Sequence, residues 1–113
     1  MNINTLTIKA QECLQQAFQI AANHNNQAVE PLHILASIIE DDDSLGAFLL
    51  GRAGVNVRGL RSEVQARLAR LPQVTGGGEQ YFAQESSKVI QRATDYTKNF
   101  GDKYASVEHL LLA

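Results

Sequence analysis

The chain has 113 residues, of which 44% are hydrophobic and 19% charged, and its formal net charge is −2. This length and composition predict one globular domain that buries a core without disulfide or metal staples. The charge gives no basic footprint for nucleic acid, no run of about 18 apolar residues predicts a membrane span, and the N-terminus has no signal-peptide pattern. With one cysteine, Cys13, the chain is expected to be cytoplasmic.

Apolar residues recur with a helical period along almost the whole chain, and no stretch alternates strongly enough to predict a strand. The fold is therefore predicted to be all-α. The predicted helices, in chain order, cover about 5–23, 31–39, 45–53, 57–71, 82–100 and the residues from 107 onward. The residues expected to begin or end them are Pro31, Ser44 or Asp43, Gly54, Asn56, Pro72, Gly101 and Ser106.

The apolar register of the fifth helix matches that of the first after a shift of 76 residues, which places Phe82 on Leu6. Such a match predicts two copies of one structural repeat. The first copy is expected over residues 5–71, a glycine-rich linker over 73–80, and the start of the second copy over 81–113. The second copy is shorter than the first, so it is predicted to be truncated.

Four segments of the sequence carry a resemblance to a known family. They are TIKAQECLQQAFQIA, NQAVEPLHILASIIE, ARLPQV with the glycine-rich stretch after it, and GDKYASVEHLLLA. In this order, and over the whole chain, they resemble the N-terminal repeat domain of the Clp chaperone ATPases, with the ClpB-type disaggregases as the closest branch. The resemblance implies two pseudo-repeats of a four-helix unit, of which the last two to three helices are missing here.

The same resemblance implies a function. A domain of this kind binds unfolded or aggregated polypeptide and passes it to an ATP-driven AAA+ hexamer in the parent protein. The chain is then not an enzyme and needs no cofactor, because ATP and magnesium belong to the AAA+ modules, and neither nucleic acid nor membrane is an expected partner. One alternative is an adaptor-docking domain that binds a folded partner. Another is an enzyme with an unrecognised site, for which no motif was found.

Three polar positions that the family pattern links to substrate binding match Thr7, Asp102 and Glu108. Each also has a structural interpretation: Thr7 and Glu108 lie in first helical turns, where they satisfy free N–H groups, and Asp102 follows a helix-ending glycine. The two roles are compatible. An apolar groove between the repeats is implied as well. The candidates for its lining are Ile90, Tyr96 and Leu110.

Other stretches that look like motifs are predicted to have structural roles and not to bind a ligand or catalyse a reaction. The segment GAFLLGRA, residues 46–53, has the glycine spacing of a phosphate loop but lacks its lysine and hydroxyl residue, and its apolar middle is typical of a core. The acidic run at 40–43 lacks the ligand pattern of a calcium loop. His33 and His109 lack a second helical ligand for zinc, and Cys13 lies on an apolar stripe, so all three are predicted to be structural. A mildly basic face is predicted from Arg58, Arg61, Arg67 and Arg70.

Overall fold

The computed structural model describes residues 6–40, 44–74, 79–100 and 104–113. Within these ranges the chain forms helices and one small parallel sheet. In chain order the elements are α1 (Ile8–Asn23), β1 (Ala28–Val29), α2 (Pro31–Ile38), α3 (Leu45–Arg52), α4 (Val57–Leu68), β2 (Tyr81–Phe82), α5 (Gln84–Phe100) and α6 (Val107–Leu112). The predicted helical fold is confirmed, and the helix ends differ from the predicted ones by only a few residues.

Local capping chemistry sets the helix ends much as the sequence predicted. The Ser44 hydroxyl accepts the N–H of Ala47 at 3.1 Å, and Asn56 begins α4 in the same way. Gly54 ends α3 with φ at 89°, and its own N–H and that of Val55 bond back to carbonyls of the last turn. Two other residues predicted at helix ends, Asp43 and Gly101, lie outside the described residues.

The hydrophobic core forms where α1 packs on α2, with α4, α5 and α6 around them. Ala10, Ala17 and Ala21 on α1 are fully buried, and their small side chains let the neighbouring helices approach closely. Cys13 belongs to the same buried stripe, and burial raises the pKa of its thiol. The hydroxyl of Ser37 donates to the backbone carbonyl of Cys13 at 2.7 Å. The predicted core role of Cys13 is confirmed.

Two short parallel backbone pairings join the early part of the chain to the late part. Val29 of β1 pairs with Phe82 of β2, and Leu6 forms an isolated bridge with Ala105. The shift of 76 residues carries one pairing onto the other, which agrees with the inferred repeat. The prediction that the chain has no strand was wrong. These strands are two residues long, too short for any alternation, and they form where packing brings distant backbone together.

A buried polar cluster fastens the turn between α1 and α2. The N–H of Glu30 donates to Nδ1 of His33 at 2.8 Å, so the neutral ring carries its proton on Nε2, which faces Oδ1 of Asn26 at 2.9 Å. The Nδ2 of Asn26 donates to the carbonyl of Pro72 at 3.0 Å. His109 accepts a backbone N–H at the start of α6 in the same way. The predicted helix-start role of both histidines is confirmed.

This cluster generates a prediction about pH. Burial lowers the pKa of His33, and the nearby His24 lowers it further. Below about pH 6.5, the unfolded chain therefore binds a proton more readily than the folded chain. We expect the free energy of unfolding to be highest above that pH and to fall below it, by up to about 1.4 kcal/mol per pH unit.

Urea unfolding at neutral pH and at mildly acidic pH measures the slope in the wild type and in His33→Gln. Glutamine is a favoured residue at this helix position, so the variant keeps a cap but loses the titrating group. The same pH slope in both proteins would show that His33 does not cause it.

Candidate functional site

Thr7 lies at the point where the start of α1 meets the start of α6. Its Oγ1 accepts the N–H of Ala10 at 3.1 Å, which makes it the N-cap of α1. Its own N–H donates to the carbonyl of Ala105 at 2.7 Å, next to the Leu6–Ala105 bridge. Thr7 is half-buried, so part of the side chain stays accessible at this edge of the molecule.

Glu108 occupies the first turn of α6, just after the residues that hold the start of α1. Its side chain is exposed. Because Ala105 is bonded to Thr7, the structure brings the helix starts that carry Thr7 and Glu108 to the same edge. Asp102, the third predicted polar residue, lies outside the described residues.

The three predicted apolar residues have different environments. Ile90 on α5 is 2% exposed and Leu110 on α6 is 3% exposed, so both contribute to the core. Tyr96, also on α5, is half-buried. Side chains as deeply buried as those of Ile90 and Leu110 reach a ligand only if their surroundings move. The assignment of these residues to a client groove stays a prediction.

Two grooves with mainly apolar walls open beside α6. One, of about 320 Å³, lies between α2, α5 and α6. The other, of about 510 Å³, lies between α3 and α6 and is here named the α3–α6 groove. It is lined by five apolar residues and two polar ones: Leu49, Leu50, Ala53, Leu111, Leu112, Glu108 and His109.

The outer side of α3 is apolar as well, and sequence reasoning missed it. Phe48 is 59% exposed, so the expectation that the apolar middle of residues 46–53 is core was wrong for this residue, and Leu45, just before the segment, is 49% exposed. The helix buries Gly46 and Ala47 instead. A Cβ on Gly46 would lie 2.9 Å from the carbonyl oxygen of Ile38, so glycine is required by close packing rather than by a phosphate. The sequence carries a signal for this exposed face, because at helical spacing the large Leu45 and Phe48 lie opposite the small Gly46 and Ala47.

The basic face predicted for α4 is not continuous. At about 100° per residue, positions nine apart lie on opposite sides of a helix, so Arg58 and Arg67 face opposite sides, and Arg70 lies beyond the end of α4. Arg61 donates from Nε and Nη2 to the carbonyl of Ile39 at 3.0 and 2.8 Å. Arg67 pairs with Glu63 of its own helix at 3.0 Å. The Arg61 contact ties α4 to the end of α2, and the arginines of α4 do not form a single basic surface.

No group of three or more His, Cys, Asp or Glu side chains in the described part of the chain is arranged to hold a metal ion. Among the same residues, no helix combines the length and apolar character needed to cross a membrane.

Comparisons with known proteins agree on one family. The family model described as the Clp repeat (R) N-terminal domain matches residues 5–113. The chain is 42% identical over 113 residues to the chaperone protein ClpB of Porphyromonas gingivalis. This match covers 100% of this chain and 13% of that protein. It is 39% identical to the chaperone protein ClpB of Bacteroides thetaiotaomicron, with the same coverage. The chain thus spans about an eighth of the length of these relatives.

Solved structures share the fold at lower identity. The Hsp104 N-terminal domain from Candida albicans matches with a TM-score of 0.85 and 23% identity, over 95% of this chain and 71% of that one. The N-domain of ClpV from Vibrio cholerae matches with a TM-score of 0.84 and 16% identity, over 97% of this chain and 66% of that one. These similarities support the arrangement of the helices.

The capping contact of Thr7 generates a stability prediction. Thr7→Ala removes the acceptor for the N–H of Ala10, so we expect the free energy of unfolding to fall by about 1 kcal/mol. Thr7→Ser keeps a hydroxyl and serves as the matched control, with little change expected. Urea unfolding at neutral pH measures both variants. A Thr7→Ala variant as stable as the wild type would mean that the cap contributes nothing.

Proposed function

The chain belongs to the Clp repeat N-terminal domain family, and we propose that it is the substrate-binding N-terminal domain of a ClpB-type protein disaggregase. In this role it captures unfolded or aggregated polypeptide for an ATP-driven AAA+ hexamer in the cytoplasm. The observation that carries the proposal is the identity of 42% with a ClpB chaperone across the whole chain. ATP and magnesium would act in the AAA+ modules of the parent protein, and this chain would perform no catalysis.

Substrate capture needs accessible groups rather than reactive ones. The edge at the start of α6 offers them: Glu108 is exposed and lines the apolar α3–α6 groove, and Thr7 is half-buried. Asp102 is proposed to bind the client as well. Apolar side chains of a client would be held in the groove while the polar residues bind its backbone or charged groups. An exposed charge contributes less than about 1 kcal/mol, which suits a domain that must release its client to the hexamer.

Adaptor docking is the alternative, in which the same surface binds a folded partner. The exposed Phe48 and Leu45 favour it, because large apolar side chains on a rigid helix are common in protein interfaces. The two functions predict different ligands. A domain that binds clients should bind many unrelated unfolded chains weakly, whereas a docking domain should bind one folded partner and ignore unfolded ones.

The test measures binding of a permanently unfolded, fluorescently labelled polypeptide by anisotropy. Glu108→Ala should weaken binding by about twofold to fivefold, because it removes one exposed charge. Glu85→Ala is the matched control, since Glu85 is an exposed acid in the first turn of α5, and it should bind as the wild type does. If the Glu108→Ala variant folds and binds with unchanged affinity, Glu108 is not part of the site. A wild type that binds no unfolded chain would contradict the proposed function.

A further inference from the structure

We propose that His33 and Asn26 form an acid-sensitive clasp at the junction between the early and late parts of the chain. While His33 is neutral, the clasp ties the segments on both sides of the glycine-rich stretch to the turn after α1. Protonation of His33 releases those segments while the helices stay folded. This inference concerns regulation of the fold, and it does not depend on the proposed binding of clients.

The clasp is a chain of hydrogen bonds in which each donor has a fixed direction. The N–H of Glu30 donates to Nδ1 of His33 at 2.8 Å, and the ring then donates from Nε2 to Oδ1 of Asn26 at 2.9 Å. The amide Nδ2 of Asn26 in turn donates to the carbonyl of Pro72 at 3.0 Å. His33 is 0% exposed and Asn26 is 5% exposed, so neither can exchange these partners for water. The hold on Pro72 therefore depends on the proton state of the ring.

The turn that contains Asn26 also binds both segments through its backbone. On one side of the glycine-rich stretch, the N–H of Val74 donates to the carbonyl of Asn25 at 2.8 Å. On the other side, the N–H of Tyr81 donates to the carbonyl of Gln27 at 3.2 Å, just before β1 pairs with β2. One short turn thus holds the end of the first segment and the start of the second.

The segment after α4 lies on the surface, where local opening is easiest. Pro72, Gln73 and Val74 are exposed. The turn that binds them contains Asn25 with φ at 57°, a left-handed conformation that is unfavourable for most residues. Segments with few buried contacts open at a lower free energy than the whole domain. The loss of the Asn26 contact is therefore expected to free this segment first.

A proton on His33 breaks the chain of bonds at its first link. The charged ring carries a hydrogen on both nitrogens, so Nδ1 and the N–H of Glu30 become two donors 2.8 Å apart. A buried charge with one neutral acceptor is costly, and the ring is stabilised by moving out into water. Asn26 then loses the partner that orients its amide, and the carbonyl of Pro72 loses its donor.

The groups around His33 favour its neutral form in the closed clasp. Burial lowers the pKa of His33, and His24 at the end of α1 lowers it further. Glu30, the N-cap residue of α2, faces the ring with its backbone N–H. The other elements packed on α2 contribute Val29 of β1, Val89 of α5, Leu110 of α6, and Arg61 of α4, which binds a carbonyl at the far end of α2. Acid therefore favours the open form.

Amide hydrogen exchange, measured by NMR and expressed as protection factors, tests the clasp. In the wild type, the protection factors of Val74 and Tyr81 should fall by up to about tenfold per pH unit below about pH 6.5. Low urea concentrations should leave this fall unchanged, because local opening exposes little surface. In His33→Gln, which keeps a side chain able to cap α2, the protection factors should not depend on pH.

Three further variants separate His33 from its surroundings. His109→Gln removes the histidine that accepts a backbone N–H at the start of α6, and should keep the wild-type pH dependence. His24→Gln should keep it as well but move it to higher pH, because His24 opposes a charge on His33. Asn26→Asp keeps the acceptor for the ring but loses the donor for Pro72, so Val74 should lose protection even at neutral pH.

The clasp is overturned if Val74 and Tyr81 keep their protection in acid, or if His33→Gln loses protection in acid as the wild type does. A fall that grows with urea would show unfolding of the whole domain and would also overturn it. Should His33→Gln not fold, the Cε1–H resonance of His33 is titrated in the wild type, and its midpoint must coincide with the loss of protection. None of these measurements involves a client, so their failure leaves the proposed function standing.

Discussion

The N–H of Thr7 donates to the carbonyl of Ala105 at 2.7 Å, and the N–H of Ala83 donates to the carbonyl of Val29 at 2.9 Å. Each bond joins a residue just before one helix to a residue just before another that is distant in sequence. Together they place α1 beside α6 and α2 beside α5. Without them, the candidate client-binding edge would not exist, because Thr7 and Glu108 are separated by almost the whole chain.

Burial makes these pairings specific. Val29 and Ala105 are both 0% exposed, so their carbonyls have no access to water and need partners within the protein. The carbonyl of Val29 also accepts the hydroxyl of Ser86 at 2.5 Å. The candidate edge is thus held by buried backbone bonds, whereas Glu108 itself projects into solvent.

The sequence predicted what depends on neighbouring residues. The helical period, the Ser44 and Asn56 caps and the turn at Gly54 are local features, and the structure confirms them. The sequence could not predict which side of the short helix α3 faces outward, because α3 is apolar on more than one side. The outward face was decided by the close contact between Gly46 and Ile38, which are eight positions apart in the sequence.

For the candidate site, too, the sequence could not predict which residues become buried. Resemblance supplied Thr7 and Glu108, and packing brought their helix starts together, but periodicity alone could not show that Ile90 and Leu110 are covered by neighbouring helices. Inward and groove-lining residues have the same spacing along a helix. Burial depends on what packs over them, and that is a property of the whole fold.

An amide NMR spectrum of this chain, titrated with a permanently unfolded polypeptide, tests the account most directly. If the account is correct, the spectrum is dispersed and the shifts are concentrated at Thr7, Glu108 and the residues that line the α3–α6 groove. A dispersed spectrum in which no peak moves, at client concentrations where a ClpB-type domain should be partly occupied, would contradict the claim that this chain captures clients.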